Sequence, residues 1–324
     1  MSPRAPRGPL WRGRTVASLL CGFATVLVLI LSACGTTSTT GGNHVTGGAV
    51  PTSTVSCPDQ ATTANLHLVT AGQLTIASDT TYAPAEYEDP NQAGHFIGYD
   101  MDLAREFARR LCLQPNIVKA SFGEIISSIS GPALGQQRYD LSISSFTIND
   151  DRKQKVDMIP YFTAGESILT TTANAGNIKS INDMCGKTIA VQNGTVEKAE
   201  LDDANGTGDG TSGQDPVCKQ AGKLITIVSY DDQTVVVQQV LNGRAEASYQ
   251  DQPVTDYYVS LNKGKLTDSG ITVQPSPEGI VMRKDNAALE QAITQALDNM
   301  RKDGTYLRIL TAWGVQALAY PPLS

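Results

Sequence analysis

The chain has 324 residues, 40% of them hydrophobic and 6% aromatic, with a formal net charge of −7. That acidic balance argues against a nucleic-acid partner, which needs a basic face. The histidines number 3, and no Cys/His cluster has metal-ligand spacing, so neither a metal site nor a cofactor is expected. The length suffices for two domains.

In chain order, Arg4, Arg7, Arg12 and Arg14 come first, followed by an apolar run from Val16 to Leu31. The run is about as long as the shortest membrane spans, so length alone admits an anchor helix. Basic, apolar and then small residues is the order of an export signal. Leu31-Ser32-Ala33-Cys34 resembles the lipoprotein box of bacteria. Residues 1–33 are therefore expected to be a cleaved signal, with Cys34 lipidated on the extracytoplasmic face of the cell membrane. Removing them leaves 21 basic against 32 acidic residues, a balance of −11. Residues 34–56 are rich in Gly, Thr and Ser and read as a flexible tether, with an end-to-end distance of roughly 25 Å.

"LTIASD" (Leu74–Asp79) reads as a buried strand and "TYAPAEYEDPNQAG" as a turn-rich stretch. "HFIGYDMDLAREFARRL" reads as a strand end entering a helix, with Asp100 as N-cap and Leu103, Phe107 and Leu111 on one face. "QRYDLSISSFT", "GKTIAVQNGT" and "AEASYQD" read as further strands. The glycine–aspartate stretch from Asn205 to Pro216 lacks the closing glutamate of a calcium loop and reads as a surface loop. Leu289, Ile293, Leu297 and Met300 repeat at helical spacing. Strands alternating with helices predict an α/β fold with mostly parallel sheets. Ligands of such sheets bind beyond the carboxyl ends of the strands.

"DLSISSFTINDDR" (Asp140–Arg152) places hydroxyls at such an end and an arginine shortly after. Serine and threonine hydroxyls, backbone N–H groups and a planar guanidinium make a receptor for a small carboxylate. By itself Arg152, in a run of mixed charge, reads equally as part of a solvated face.

Several segments taken together resemble the solute-binding proteins of ABC importers for polar amino acids. They are "SDTTYAPAEYED", "FIGYDMDLAREFARRL", "YDLSISSFTINDDRKQKVDMIPYF", "KTIAVQNGT", "AEASYQD" and "GIVMRKDN…LDNMRKDGTYLRILTAWG". The resemblance spans the chain from about Leu68 onward. It implies a two-lobed periplasmic-binding-protein-like fold (type II) with the ligand between the lobes. Lobe 1 would comprise residues 57–166 plus 273–324, and lobe 2 residues 167–272. Two hinge strands would cross near Phe162–Ser167 and Ser269–Gln274. The pairings Cys57–Cys112 and Cys185–Cys218 are favoured among the three connectivities, since each then lies within one lobe. Buried free thiols are the alternative.

The resemblance also implies roles. Arg152 would pair with the ligand α-carboxylate, helped by Ser145, Thr147, Gly194 and Thr195. Asp251 would take the α-ammonium, Tyr82 and Phe122 would sandwich the aliphatic stem, and Asp79 would meet the ligand side chain. Ala85, where the family usually carries an aromatic residue, would open space on the lobe 1 wall. Gln192, Val196 and Gln250 would line the side-chain end without a basic residue, which favours glutamine or a basic amino acid over an acidic one. Glu86 or Glu197 would tilt the choice toward a cation.

The function implied is capture of a free amino acid by a lipid-anchored monomer that serves ABC permease transmembrane subunits, with no catalytic residue. A cyclohexadienyl dehydratase-like enzyme on the same fold and a sensor subunit for a membrane receptor are the alternatives. The enzyme requires a general acid or base beside the substrate, and no further titratable residue is matched to that task.

Overall fold

Two long strands organise the fold. The computed structural model describes residues 65–321, apart from residue 132. The expected signal, Cys34, the tether and Cys57 lie outside the described residues. Strands are β1 (Gln73–Ser78), β2 (Thr81–Tyr82), β3 (Glu86–Glu88), β4 (Phe96–Ile97), β5 (Gln114–Lys119), β6 (Leu141–Thr147), β7 (Asp157–Thr171), β8 (Thr188–Gln192), β9 (Thr226–Tyr230), β10 (Ala247–Asp251) and β11 (Leu266–Met282). Helices are α1 (Tyr99–Arg110), α2 (Phe122–Ser130), α3 (Asp150–Lys155), α4 (Ile181–Met184), α5 (Val196–Ala204), α6 (Val217–Gln220), α7 (Gln233–Leu241), α8 (Gln252–Leu261), α9 (Ala287–Lys302) and α10 (Thr305–Ala312).

An eight-stranded sheet has the order β5-β1-β6-β11-β7-β10-β8-β9. Its wings are parallel: β1 pairs with β5 and β6, and β8 pairs with β9 and β10. The centre is antiparallel, because β7 and β11 pair from Asp157↔Met282 to Thr171↔Leu266. The sheet is thus mixed, whereas alternation along the sequence predicts a mostly parallel one. Local periodicity reports strands but not the direction in which two distant strands meet.

The β7–β11 ladder shifts register between Asp268 and Ile271, Ile271 and Val273, and Val273 and Ser276. Such irregularities bend a strand and loosen its pairing. They fall where β7 and β11 pass from one wing of the sheet to the other, the place suited to a hinge.

Each wing has its own core. One core joins Leu74, Ile76, Leu103, Phe107, Leu141 and Ile143 to Leu289, Ile293, Leu297 and Met300, so it draws on both ends of the described chain. The other gathers Ile168, Ile189, Val191, Leu201, Cys218 and Tyr249 around β8 and β10.

The start of α1 differs from the expectation. Its N-cap is Gly98, not Asp100. Gly98 has φ +134, and a Cβ there would lie 1.9 Å from the Ala85 carbonyl oxygen. Asp100 instead points inward and accepts from the Ser145 N–H at 3.1 Å and the Tyr161 hydroxyl at 2.8 Å. A carboxylate near a helix start is the usual sign of a cap; here tertiary donors claim it.

Cys185 and Cys218 form a disulfide with a Cα–Cα distance of 5.1 Å, in the β8–β10 wing. Cys112 is also disulfide-bonded; its expected partner, Cys57, is not among the described residues. No described helix is long and apolar enough to cross a membrane.

The Cys185–Cys218 bond spans a sequence separation of 33. Closing a loop of that size constrains the unfolded chain by roughly 2–4 kcal/mol. The Cys185→Ala/Cys218→Ala variant is expected to lose about that stability in urea denaturation. An unchanged midpoint would show that the bond adds nothing to the fold.

Candidate functional site

The site lies where the wings of the sheet face each other beside the β7–β11 crossing. Ten side chains line one cavity: Tyr82, Phe122, Ser145, Thr147, Arg152, Gln192, Thr195, Val196, Glu197 and Asp251. All ten were singled out in the sequence, and they meet there from β2, α2, β6, α3, β8, the turn after it, α5 and the end of β10. Asp79 and Gly194 stand just behind the lining and bond to it.

Arg152 comes from α3, which starts with Asn149 as N-cap; the Asn149 side chain accepts from the Arg152 N–H at 2.8 Å. The guanidinium is buried, 6% exposed. It stands 5.6 Å from the centre of the Phe122 ring and 5.1 Å from that of Phe146. The two rings stack at 4.2 Å. Its Nη atoms donate to the Thr147 carbonyl at 2.7 Å and the Gly194 carbonyl at 3.2 Å. Among the described residues it makes no ion pair. Burial lowers its pKa, but Glu197 and Asp251 favour the charged form. A guanidinium has five donors, so capacity remains for a carboxylate.

Asp251 ends β10 at the N-cap position of α8, yet it makes no side-chain cap bond. Its carboxylate accepts instead from the Tyr82 hydroxyl at 2.9 Å, and its N–H donates to that hydroxyl at 3.1 Å. Burial pushes its pKa up to about 6, while the Tyr82 bond and Arg152 oppose the rise. At neutral pH it is mostly a carboxylate, suited to an ammonium. Asp79 is also raised to about 6 by burial, against the bonds from Gln192 and Thr81. Gln192 Nε2 donates to Asp79 at 2.7 Å and Thr81 Oγ1 does so at 2.8 Å.

Four of these bonds run from the β1 wing to the β8 wing: Tyr82–Asp251, Asp79–Gln192, Arg152–Gly194 and Thr81–Gln233. The cleft is therefore closed on itself. The space between its walls gives the centre of a water molecule about 10 Å³, room for about one water. A solute larger than water enters only if the walls part.

Three expectations change. Ala85 does not open the wall; it is buried in the core beneath α1. Gln250 does not line the cavity but donates to Thr255 at 2.7 Å. Glu86 is buried behind the wall, where it accepts from Ser144 Oγ at 2.7 Å. Phe146, the ring beneath Arg152, carries no signal in the sequence, since alternation along β6 marks it only as core.

Residues 74–316 match the model of the bacterial extracellular solute-binding proteins, family 3. The chain belongs to that family. Among curated relatives, the arginine-binding protein ArgT of Corynebacterium glutamicum is 29% identical over 250 residues, 77% of this chain and 76% of its own. Among solved structures, an ancestral arginine-binding protein bound to arginine is 31% identical with a TM-score of 0.65, covering 75% of this chain and 98% of its own. An ancestral amino acid-binding protein described as a precursor of cyclohexadienyl dehydratase is 29% identical with a TM-score of 0.62, covering 75% and 95%. Membership in this family makes the protein an extracytoplasmic solute-binding protein with the two-lobed fold.

Gly194 tests that closure. It has φ +80, and a Cβ on it would lie 2.6 Å from Gly123 Cα across the cleft. Gly194→Ala is expected to hold the walls apart and to weaken solute binding at least about tenfold, or about 1.4 kcal/mol. Calorimetry measures the affinity, and a melting temperature within a few degrees of wild type shows an intact fold. Unchanged affinity would mean that the turn yields.

Proposed function

We propose that this protein captures a basic amino acid or glutamine between its lobes and delivers it to an ABC permease, held at the membrane by lipidated Cys34. The observation that carries the reading is the placement of Arg152 and Asp251 on one small cavity with Asp79 behind its far wall. An amino acid brings a carboxylate and an ammonium. Arg152 offers donors matched to the first, with Ser145, Thr147 and the turn at Gly194–Thr195 around it. Asp251 accepts from the second. Tyr82 and Phe122 flank the stem.

Asp79 decides the class of side chain. It is 2% exposed and accepts hydrogen bonds from Gln192 and Thr81, and among the described residues it forms no ion pair. A guanidinium or ammonium there gains a charge-assisted bond of roughly 1.5–3 kcal/mol. An acidic side chain would meet like charge. The arginine-binding names of two of the similar proteins point the same way.

Opening and closing needs no chemistry, and the reading includes no catalytic step. One observation favours the enzyme alternative: Glu197, a buried acid, lines the cavity. Prephenate therefore belongs in the test.

Thermal unfolding of residues 57–324 against L-arginine, L-lysine, L-ornithine, L-glutamine, L-glutamate and prephenate is the first experiment. A ligand at about 100 times its Kd stabilises by roughly 2.7 kcal/mol. A shift with arginine, lysine, ornithine or glutamine is expected, and none with glutamate. A response to prephenate alone would replace this reading with the enzyme. Arg152→Ala is expected to abolish the shift. Asp79→Asn is expected to weaken arginine by at least about tenfold, 1.4 kcal/mol, and glutamine much less.

A further inference from the structure

One lining side chain has no part in holding a zwitterion. Glu197 is the second residue of α5, two positions after Thr195, whose hydroxyl caps that helix by accepting from the Lys198 N–H at 3.2 Å. Glu197 is 2% exposed, and its Oε1 has no hydrogen-bond partner. It opens onto the same cavity as Arg152.

Its surroundings are acidic. Asp251 faces it from the end of β10, Glu166 from β7 and Glu200 from the next turn of α5. Glu166 and Glu200 both accept from the Tyr249 hydroxyl, at 2.6 and 2.7 Å. Tyr82 approaches from β2 with its hydroxyl on Asp251. Lys198, the neighbouring cation, turns away to Asp202 at 2.7 Å. Arg152 is the cation that Glu197 faces.

An amino acid that seats its carboxylate at Arg152 brings a second carboxylate beside Glu197, into a space made for about one water. Two carboxylates this close in a dry site do not both stay ionised; they share a proton. We propose that Glu197 takes up a proton when the amino acid binds and, as the neutral acid, donates a hydrogen bond to the ligand carboxylate. Arg152 grips that carboxylate from one side and Glu197 from the other. The proton comes from solvent and stays on Glu197 until the cleft opens.

The electrostatics agree with the geometry. Burial first, then Asp251 and Glu166, hold the closed-cleft carboxyl well above the ordinary carboxylate range. With the walls parted, water reaches the group, the burial that raises its pKa is relieved, and the pKa falls. A group whose pKa rises on binding favours binding at low pH. The association constant is full below the open value and falls about tenfold per pH unit between the open and closed values.

This inference rests on the amino-acid reading above, and the test separates the two. L-Arginine and L-glutamine are titrated calorimetrically into the protein near pH 7, in phosphate and in Tris, whose ionisation heats differ. The wild type is expected to take up about one proton per ligand, and its affinity to fall about tenfold from pH 7 to pH 8. Glu197→Gln is expected to take up about one proton fewer and to lose most of the pH dependence. Glu197→Ala gives the same comparison should the amide variant fail to fold. Binding by the wild type with equal heats in both buffers overturns the proposal and leaves the amino-acid reading standing. So does an undiminished proton count in both variants. No binding of either amino acid by the wild type overturns the functional reading, and this inference with it.

Discussion

The buried guanidinium of Arg152 is the constraint around which the site is built. A cation taken out of water needs compensation, and a carboxylate of the protein would be the ordinary source. Here its direct contacts are two ring faces and two backbone carbonyls, while Glu197 and Asp251 favour its charge without pairing with it. That arrangement keeps the charge and leaves donors for an anion from outside. It also ties distant parts of the chain together. Thr147 ends β6, Phe122 begins α2, and Gly194 belongs to the turn on the opposite wall.

Closure and recognition use the same atoms. Tyr82 bonds Asp251, and Gln192 bonds Asp79, across the cleft. Each pair joins a group from one wing to a group from the other. In the proposed reading, a bound solute replaces these partners with its own charged ends, so that binding and closure draw on the same contacts. The register shifts in the β7–β11 ladder give the motion a place to occur, in keeping with hinge closure in proteins of this fold.

The charge balance of the interior is one-sided. Glu197, Asp251 and Glu278 are buried near Arg152, and Asp79 is buried behind the far wall. Desolvation raises each of these carboxyls, and mutual repulsion raises Glu197 and Glu278 further. Such a site suits a ligand that brings positive charge, the reading proposed above.

Much of the local structure was legible in the sequence. The apolar spacing in Leu289, Ile293, Leu297 and Met300 marks a helix because a helix repeats every 3.6 residues. The hydroxyls of "DLSISS" mark a strand end facing something polar. The family resemblance then supplied an order for the segments, and the family model covers most of the same span. What depends on contacts between remote segments was not legible. Asp100 looked like a cap because caps are local, but its partners, Ser145 and Tyr161, lie far along the chain. Ala85 looked like missing bulk in a wall, but its methyl group faces the core. Glu197 was singled out only as a group that would favour a cationic ligand; its place beside Arg152 and Asp251 comes from the fold. The sequence by itself determined the elements, because periodicity and propensity act over a few residues. Tertiary structure alone decided strand direction, which carboxyls are buried and which side chains face one another across the cleft, because those depend on the meeting of segments that local forces do not connect.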